Sequence, residues 1–578
     1  MIKFLPALLI TLLCITATAQ EKKKVIELRG SRTAITPKLS KWRPNFSDPV
    51  LKIKTRDEKG LVFARNIQPA KLTDHKNGST GQDPVWQQRY RIAENPELYT
   101  SSATGASYYV SSEMDFEGIP FTNISPADPT IAVGPNHIIQ MVNGSNGSAY
   151  FKIYNKNGGQ LSLEAFMDQL PGSSYNGAGD CITWYDQLTG RFVMTEFGDS
   201  SRTGTAVNSL IMAVSASSDP LGSWYIYEFP DASFFPDYPK YSNWHDAWYG
   251  MTRDFTGSYI GNSVWAFDKS KMINGDPVAT VQRIRLVDTD SKFNSLCPVS
   301  LAGSTPAPAG TPGLFLYYSD DNFSAAASDT DSLGLVGFKV NFSDPSKSTA
   351  GVIQSLPVAP FRSDVCISRN CAPSASGQGY DVVSNRVMNR PYYRNFGTHE
   401  AIVANHTVDA TGTGIAGVRW YELRKTGGAW LTYQQGSFAP QDIIPCVDPA
   451  AKFRFMGSIS LNAHGQIALA YNTSSATSYA SIGFTGRNSS DPLNAMSYEE
   501  TVSIKGTGFG SFGNRWGDYS EMVPDPVNDS LFWFSGMYGT SNGWGTRIFS
   551  IKLGAPKQTD ARLVSIDQPN ACESSCNT

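Results

Sequence analysis

The chain has 578 residues, a formal net charge of -3 at pH 7 and no long run of lysine or arginine. This excludes the basic surface that nucleic-acid binding needs. Aromatic residues make up 12% of the sequence, and 51 glycines and 34 prolines interrupt it, so the composition favours many short strands joined by tight turns.

The first residues are typical of a secretory signal peptide. Lys3 is followed by an apolar run at 4–15 and by Ala17-Thr18-Ala19, the order of charged, apolar and small residues that such signals have. The apolar run is too short to span a bilayer, so a membrane anchor is the weaker alternative. We expect residues 1–19 to be removed and the product to be secreted, extracellular or periplasmic, without a membrane span.

Seven cysteines follow the signal peptide, and in an exported protein they are candidates for disulfides. The pairs nearest in sequence are Cys366 with Cys371 and Cys572 with Cys576, and the others are Cys181, Cys297 and Cys446. Their odd number leaves at least one thiol free or bonded to another chain. A zinc site is disfavoured because it requires clustered Cys and His residues.

Residues 20–115 predict an extended leader. They are polar, basic around Lys22-Lys23-Lys24, and contain few alternations of apolar and polar residues, which is unfavourable for a packed core. A small folded domain is the alternative. We expect the main domain to span 116–556 and a tail to follow at 557–578.

Regular strand patterns begin at Asp128. Residues 130–133 end in a Gly-Pro-Asn turn, and 138–143 return as the hairpin partner. A third strand follows at 150–154, and a similar order restarts at Asp180. The pattern predicts consecutive antiparallel sheets.

A five-residue sequence occurs twice, as Ser217-Ser218-Asp219-Pro220-Leu221 and again at 489–493, each time between two predicted strands. Repeated sheets must pack on one another, and closing the series into a ring removes exposed edges. We therefore expect an all-β fold, a β-propeller of about seven blades, with a series of β-sandwiches as the alternative. Blade openings are expected near Asp128, Asp180, Asp246, Cys297, Arg390, Arg454 and Arg515.

Six segments carry a resemblance to known proteins: residues 128–136, 184–186, 213–215, 404–409, 418–423 and 515–520. Together they resemble a widespread group of secreted bacterial β-propeller proteins that has no well-defined activity. Residues 217–224 are similar to a loosened Asp-box, the turn of sialidase-like propellers, with one extra residue between Asp219 and Gly222. The resemblance implies a folding turn remote from any active site. No pattern identifies the sialidase arginine triad, so no catalytic residue is carried over.

In a propeller the innermost strands converge on the axis, and the loops at one mouth form the natural concave site. The residues near the predicted blade openings are therefore the candidates. The catalytic candidates are Asp128, Asp180, Asp246, Asp518 and His399, and the substrate-binding candidates are His245, Arg390, Tyr393, Arg394, Arg454, Arg515 and Trp516. The alternative for each is a structural role, because buried polar groups need partners.

Two reactions fit these residue types. Hydrolysis of a glycosidic bond needs two facing carboxylates, which Asp128, Asp180, Asp246 and Asp518 can supply if they converge. β-Elimination from an acidic sugar needs a base such as His245 or His399, a proton donor such as Tyr393, and an arginine such as Arg390 or Arg394. Neither set has a diagnostic spacing.

No metal motif is present, and no cofactor is expected apart from calcium. Acidic residues at 288–290, 320–322 and 329–331 offer oxygen ligands, but they lack the Gly and distal Glu of a dedicated calcium loop. Solvated turns are the alternative.

The sequence favours a secreted propeller that binds an extracellular polysaccharide or cell-surface glycan at the axial mouth. Whether it also cleaves the bound glycan is left open by the sequence. As an enzyme it would be a glycoside hydrolase, with a polysaccharide lyase as second choice. The alternative is a non-catalytic adhesion or protein-interaction propeller. Carboxylates converging in an open pocket favour the enzyme, whereas a plugged channel with charges paired between blades favours the binder.

Overall fold

A computed structural model describes residues 24–42, 82–87, 110–162, 164–199, 207–286, 292–321, 330–365, 370–441, 451–510 and 516–554. These residues are almost entirely β-structure, which confirms the predicted all-β class. The four strands before the main series are β1 (Val25–Ile35), β2 (Trp86–Gln87), β3 (Val110–Ser111) and β4 (Asp115–Glu117).

The first three sheets each contain four consecutive antiparallel strands. The first comprises β5 (Thr130–Val133), β6 (His137–Asn143), β7 (Ala149–Asn155) and β8 (Ala165–Phe166). The second comprises β9 (Asn176–Asp186), β10 (Arg191–Asp199), β11 (Asn208–Ser215) and β12 (Trp224–Pro230). The third comprises β13 (Phe235–Asn243), β14 (Trp248–Phe255), β15 (Tyr259–Phe267) and β16 (Val278–Leu286).

The fourth and fifth sheets are joined at their first strands. The fourth comprises β17 (Cys297–Pro298), β19 (Gly313–Ser319), β20 (Ser332–Lys339) and β21 (Thr349–Pro357), with β18 (Ser300–Leu301) continuing from β17. A small hairpin of β22 (Ala372–Pro373) and β23 (Gly379–Tyr380) precedes the fifth sheet. That sheet comprises β24 (Tyr392–Asn395), β25 (Glu400–Asp409), β26 (Ala416–Lys425) and β27 (Leu431–Phe438). β18 pairs in parallel with β24, so these first strands run in the same direction.

The last two sheets complete the series. The sixth comprises β28 (Phe453–Leu461), β29 (Ile467–Ser475), β30 (Ser478–Arg487) and β31 (Thr501–Ile504), and the seventh comprises β32 (Glu521–Pro524), β33 (Leu531–Thr540) and β34 (Gly543–Leu553). The helices are short: α1 (Lys269–Met272) and 3-10 turns at Leu39–Lys41, Met167–Gln169, Lys292–Ser295 and Pro345–Lys347. None of the helices in the described part of the chain is long and apolar enough to cross a membrane.

The first strands of the sheets form a closed, propeller-like ring. β5 contacts β9, β9 contacts β13, and the contacts continue through β18, β24, β28 and β32 back to β5. Apolar residues cover both faces of the sheets because each sheet packs between two others, as in the fully buried β28 and the nearly fully buried β33. We call these first strands inner strands. The ring end where they begin is the strand-start mouth, and the opposite end is the strand-end mouth.

Most predicted blade openings coincide with the start of an inner strand, but the one placed at Asp246 does not. Asp246 lies in the hairpin between β13 and β14, after the inner strand of the third sheet. β13 contains Pro236 and Pro239 and a register shift between Asp237 and Lys240, so its sequence lacks the alternation that marks a strand. The predicted opening therefore lies one strand after the start of the third sheet.

Five inner strands share a backbone feature that the sequence did not indicate. A residue other than glycine adopts a positive φ just before or within the strand, and these are Asp128 (52°), Asp180 (53°), Tyr238 (53°), Met456 (56°) and Asp518 (102°). In the second, third and sixth sheets this residue coincides with a register shift. Aspartate tolerates this conformation better than tyrosine or methionine, so the bulges in the third and sixth sheets are the strained ones.

The segments before Asp128 lie on the outer edges of the ring. β1 lies between β12 and β16 and joins the second and third sheets into one nine-stranded sheet. β2 pairs with β27, and β3 and β4 pair with β34. They cover backbone edges that would otherwise be open to pairing with other chains.

The imidazole of His406 makes stability sensitive to acid. It is buried beside the rings of Tyr318 and Phe361, and burial lowers its pKa to about 3. Below about pH 6.5 the unfolded chain binds a proton that the folded chain excludes, so stability falls by up to about 1.4 kcal/mol per pH unit down to the folded pKa.

Nε2 of His406 lies 3.0 Å from the Tyr421 hydroxyl. We expect His406→Gln, which retains a polar partner for that hydroxyl, to remove most of the fall in the unfolding midpoint between pH 6.5 and 4. The exposed His464→Gln is the control. An equal acid response in both variants would contradict this origin.

Candidate functional site

A buried ion pair closes the centre of the ring. Arg390, just before β24, contacts Glu521 of β32 with Nη2 2.9 Å from Oε2. The same guanidinium donates from Nη2 to the Thr183 carbonyl of β9 at 3.1 Å and from Nη1 to the Tyr241 carbonyl of β13 at 3.4 Å. Tyr392 donates its phenol hydrogen to Glu521 at 2.6 Å. Arg390 thus links four sheets across the axis, with its charge neutralised.

Asp128 and Asp180 come together at the strand-start mouth, but as buried groups. Asn143 bridges them: its Nδ2 donates to Asp128 Oδ2 at 2.7 Å, and its Oδ1 accepts from the Asp180 backbone N–H at 3.0 Å. Tyr519 donates to Asp180 Oδ2 at 3.3 Å. Both carboxylates are therefore hydrogen-bonded and shielded from solvent.

Asp518, the third of these carboxylates, borders a lysine enclosed by aromatic rings. Nζ of Lys240 lies 3.1 Å from the ring centroid of Tyr519 and 4.2 Å from that of Tyr238, and it donates to the backbone carbonyl of Asp518 at 3.0 Å. Burial lowers the pKa of Lys240 to about 8. Asp518 itself is half-buried.

The connection from the fourth to the fifth sheet covers this mouth. Within this connection, the guanidinium of Arg386 lies 4.5 Å from the Tyr238 ring centroid. The backbone carbonyl of Ser384 accepts a hydrogen bond from the Tyr318 hydroxyl. Tyr380 contacts Trp516 at 4.8 Å between ring centroids. Residues 370–391 therefore contact the third, fourth and seventh sheets and close much of the strand-start mouth.

The strand-end mouth contains an open pocket on the axis. The cavity has a volume of about 50 Å³ and is open to solvent on one side. Inner strands or adjoining residues of six sheets form its wall, and Arg390 and Tyr392 lie at its inner end. The lining residues are Ala132, Val133, Trp184, Tyr185, Gln187, Asn243, Ser300, Leu301, Ala302, Gly303, Arg390, Tyr392, Val523, Pro524 and Pro526. None of these is an aspartate or a glutamate.

Two lining residues have polar atoms without a hydrogen-bond partner among the described residues: Nε1 of Trp184 and Oδ1 of Asn243. Both side chains are more than nine-tenths buried. The indole ring is held in place by Tyr241, stacked at 5.9 Å, and by Trp248, edge-on at 5.8 Å. A buried donor or acceptor without a partner costs free energy, and both of these atoms are shielded from solvent.

Four other predicted residues lie near the strand-end mouth, in or beside the first hairpins of the third and fifth sheets. Asp246 is exposed and accepts from the Tyr249 hydroxyl at 3.1 Å. Burial lowers the pKa of His245 and of His399, and His399 stacks on Phe396. Tyr393 is buried and donates to Glu400 at 2.7 Å.

The remaining candidates are engaged elsewhere or lie outside the described residues. Arg394 forms a bidentate pair with Asp529 of the seventh sheet at 2.7 and 2.8 Å. Arg454 pairs with Glu500 at 2.7 Å, and Trp516 is buried against Tyr380. Arg515 lies outside the described part of the chain.

This geometry does not assemble either predicted reaction. Asp128, Asp180 and Asp518 share the covered mouth, whereas Asp246 lies at the opposite end of the inner strands. For elimination, Tyr393 and Arg394 already have carboxylate partners, and Arg390 is neutralised by Glu521. Trp184 and Asn243, which line the open pocket, were not among the predicted site residues. Their sequence surroundings signalled strands and turns only.

Two of the acidic segments considered for calcium, 320–322 and 329–331, contribute to one cluster. Carboxylate oxygens of Asp320, Asp321 and Asp331 lie within 4.8 Å of one another. Asp331 accepts from the Asp321 backbone N–H at 2.8 Å, and Asp320 accepts twice from Ser363. Hydrogen bonds from backbone N–H and hydroxyl groups thus engage several of the carboxylate oxygens that a calcium ion would need. Calcium binding stays a prediction.

The cluster predicts a loss of stability as pH rises. Burial, reinforced by Asp320, raises the pKa of Asp331 to about 7. The unfolded carboxyl ionises near pH 4 and the folded one resists ionisation, so stability falls between about pH 4 and 7. In thermal melts, Asp320→Asn should shift this fall in stability to lower pH, because it removes the charge that helps to raise the pKa of Asp331. Asp344→Asn, at an exposed position, should not. A rise in midpoint on adding calcium at pH 8 would support the calcium prediction.

The described residues test only some of the predictions about the cysteines and the chain ends. Cys181 and Cys297 are buried free thiols, so these two of the seven candidates form no disulfide, whereas Cys371 is disulfide-bonded. Cys366, Cys446, Cys572 and Cys576 lie outside the described residues, as does the signal segment, and these predictions remain predictions.

Neither a protein-family model nor a curated protein sequence matches the chain. Solved structures match along most of it at low identity. A protein of unknown function from Dyadobacter fermentans has 10% identity and a TM-score of 0.35, covering 77% of this chain and 99% of its own.

Two further matches have printed activities. An α-L-arabinanase from Penicillium chrysogenum, complexed with arabinobiose, has 8% identity and a TM-score of 0.34, covering 77% and 99% of the two chains. The BP39L lectin from Burkholderia pseudomallei has 10% identity and a TM-score of 0.33, covering 74% and 99%. At such identities and TM-scores these likenesses carry no functional argument, so function has to be argued from this chain's own residues.

Proposed function

We propose that the chain is a secreted β-propeller of seven blades that binds an extracellular glycan at the strand-end mouth without cleaving it. The observation that carries the proposal is the open axial pocket, whose lining combines aromatic, amide and hydroxyl side chains and contains no carboxylate. Sugars offer both hydroxyl groups and apolar C–H faces, which suit such a mixed lining.

Binding is favoured over cleavage because of where the carboxylates lie. Glycosidases position two carboxyl groups across the scissile bond. Here Asp128 and Asp180 are buried behind the covered mouth, and the axial charges are paired between sheets. This combination fits a recognition module better than a hydrolase or a lyase.

The test is a binding and turnover assay on the mature protein. Retardation in gels that contain neutral or acidic polysaccharides measures binding, while reducing ends and the absorbance of unsaturated products measure cleavage. We expect retardation by at least one polysaccharide, no product from any, and unchanged retardation of an Asp246→Asn/Asp518→Asn double variant.

Two results would count against the proposal. New reducing ends that disappear in the double variant would establish a hydrolase that uses these carboxylates. Absence of retardation by every polysaccharide would favour the adhesion or protein-interaction alternative.

A further inference from the structure

The outer edge of the fourth sheet has no partner strand among the described residues. Four other sheets have outermost strands that β1 to β4 cover at least in part: β12 and β16 pair with β1, the end of β27 with β2, and β34 with β3 and β4. The outermost strands of the first and sixth sheets, β8 and β31, have only two and four residues. β21 has nine residues and ends the strand order of its sheet. Its far edge therefore presents backbone groups for pairing.

The sequence of β21 does not protect this edge. Its residues, 349–357, include no Asp, Glu, Lys or Arg, and its one proline, Pro357, stands at the very end. Natural edge strands are commonly protected by charged residues or by proline. Two consecutive apolar side chains, Val352 and Ile353, are exposed instead. The strand thus combines an open backbone edge with apolar side chains beside it.

The apolar surface continues onto the fifth sheet. The Gln354 side chain donates to the Trp430 carbonyl at 2.7 Å and accepts from the Trp430 N–H at 3.0 Å. These hydrogen bonds hold the start of β27 beside β21. Leu431 and Tyr433, both on β27, are exposed as well. A group of exposed apolar side chains on a folded protein indicates a protein interaction surface.

A second copy of the same strand fits this edge. Antiparallel pairing about a two-fold axis brings β21 of one chain against β21 of the other, so a charged residue in the strand would approach its own copy and be repelled. β21 carries no charged residue. Residues 349–352 also keep an unbroken register with β20, whereas a bulge at Ile353 interrupts the strand beyond them. The regular part available for pairing is therefore 349–352.

From these features we infer that two copies of the chain associate through β21, with residues 349–352 of each copy paired antiparallel and the neighbouring apolar side chains covered. A contact centred on four residues in each chain is small beside the roughly 1,000 Å² that marks a stable interface. We therefore expect a reversible dimer whose population rises with protein concentration. This inference is independent of glycan binding.

Sedimentation velocity of the mature protein over a wide range of concentrations tests the association. The sedimentation coefficient of the wild type should rise from that of a single chain towards that of a dimer. The variant Val352→Lys/Ile353→Lys should stay a single chain, because charge on an edge strand opposes pairing. Amide hydrogen exchange is the second readout: residues 349–352 should exchange more slowly at high concentration in the wild type only.

Val278→Lys is the matched control. Val278 is 46% exposed and Val352 is 48% exposed, but β16, which contains Val278, already pairs with β1. This variant should therefore dimerise like the wild type. Thermal melts establish that each variant is folded, and non-reducing gels exclude a disulfide-linked dimer. If the double lysine variant does not fold, the concentration dependence of exchange in the wild type still decides the outcome.

Three results would overturn the inference. The first is a wild type that sediments as a single chain at every concentration. The second is slow exchange of residues 349–352 in the single chain, which would mean that another part of the same chain covers the edge. The third is undiminished dimerisation of the double lysine variant, which would place the interface elsewhere.

Discussion

Replacing Arg390 by methionine lowers the free energy of unfolding by about 3–5 kcal/mol, the effect of leaving one charge of a buried ion pair without its partner. Glu521 would stay buried beside Tyr392 with its negative charge uncompensated. The carbonyls of Thr183 and Tyr241 would also lose a donor. Denaturant titration followed by tryptophan fluorescence measures the change.

The double variant Arg390→Met/Glu521→Leu is the control for this prediction. It removes both charges, and replacing a buried pair by apolar residues is often close to neutral. We expect it to recover a large part of the loss, limited by the two carbonyls. If the single variant is as stable as the wild type, the pair does not close the ring as described.

Removing the carboxylate of Asp83 has an effect of similar size, about 3–5 kcal/mol, for the same physical reason. Asp83 lies in the short described segment 82–87 and contacts Arg419 of β26 at 2.8 Å, with both side chains fully buried. Without it the Arg419 guanidinium would keep only neutral partners, such as the Ala359 carbonyl and Gln435. Asp83→Ala should therefore destabilise the fifth sheet although residue 83 is remote from it in sequence.

An exposed pair provides the comparison. Asp344 and Lys347 contact at 3.0 Å but remain largely in solvent, where such pairs contribute little to stability. Asp344→Ala should leave the unfolding midpoint nearly unchanged. Equal midpoints for Asp83→Ala and Asp344→Ala would mean that segment 82–87 is not an integral part of the ring.

Strand patterns with tight turns made the fold class predictable. Alternation and a Gly-Pro-Asn turn located β5 and β6, and the repeated sequence at 217–221 and 489–493 falls between the third and fourth strands of two sheets. β13 was missed because prolines and a bulge hide its pattern. The outer strands β1 to β4 were unpredictable because their pairing depends on edges far away in the chain.

The candidate site was less predictable than the fold. Sequence reasoning selected charged residues at blade openings, and several of these proved to be buried and paired, such as Arg390, Arg394 and Arg454. The open pocket is instead lined mainly by uncharged residues such as Trp184 and Asn243. Tryptophan and asparagine are common in strands and turns, so only the three-dimensional arrangement shows which of them line the axis.

The most direct test of the proposed function is a crystal structure of the protein soaked with an oligosaccharide of the polysaccharide that retards it most. We expect electron density for sugar rings at the strand-end mouth, in contact with residues that line the axial pocket. Density at the strand-start mouth beside Asp518, with the axial pocket empty, would contradict it.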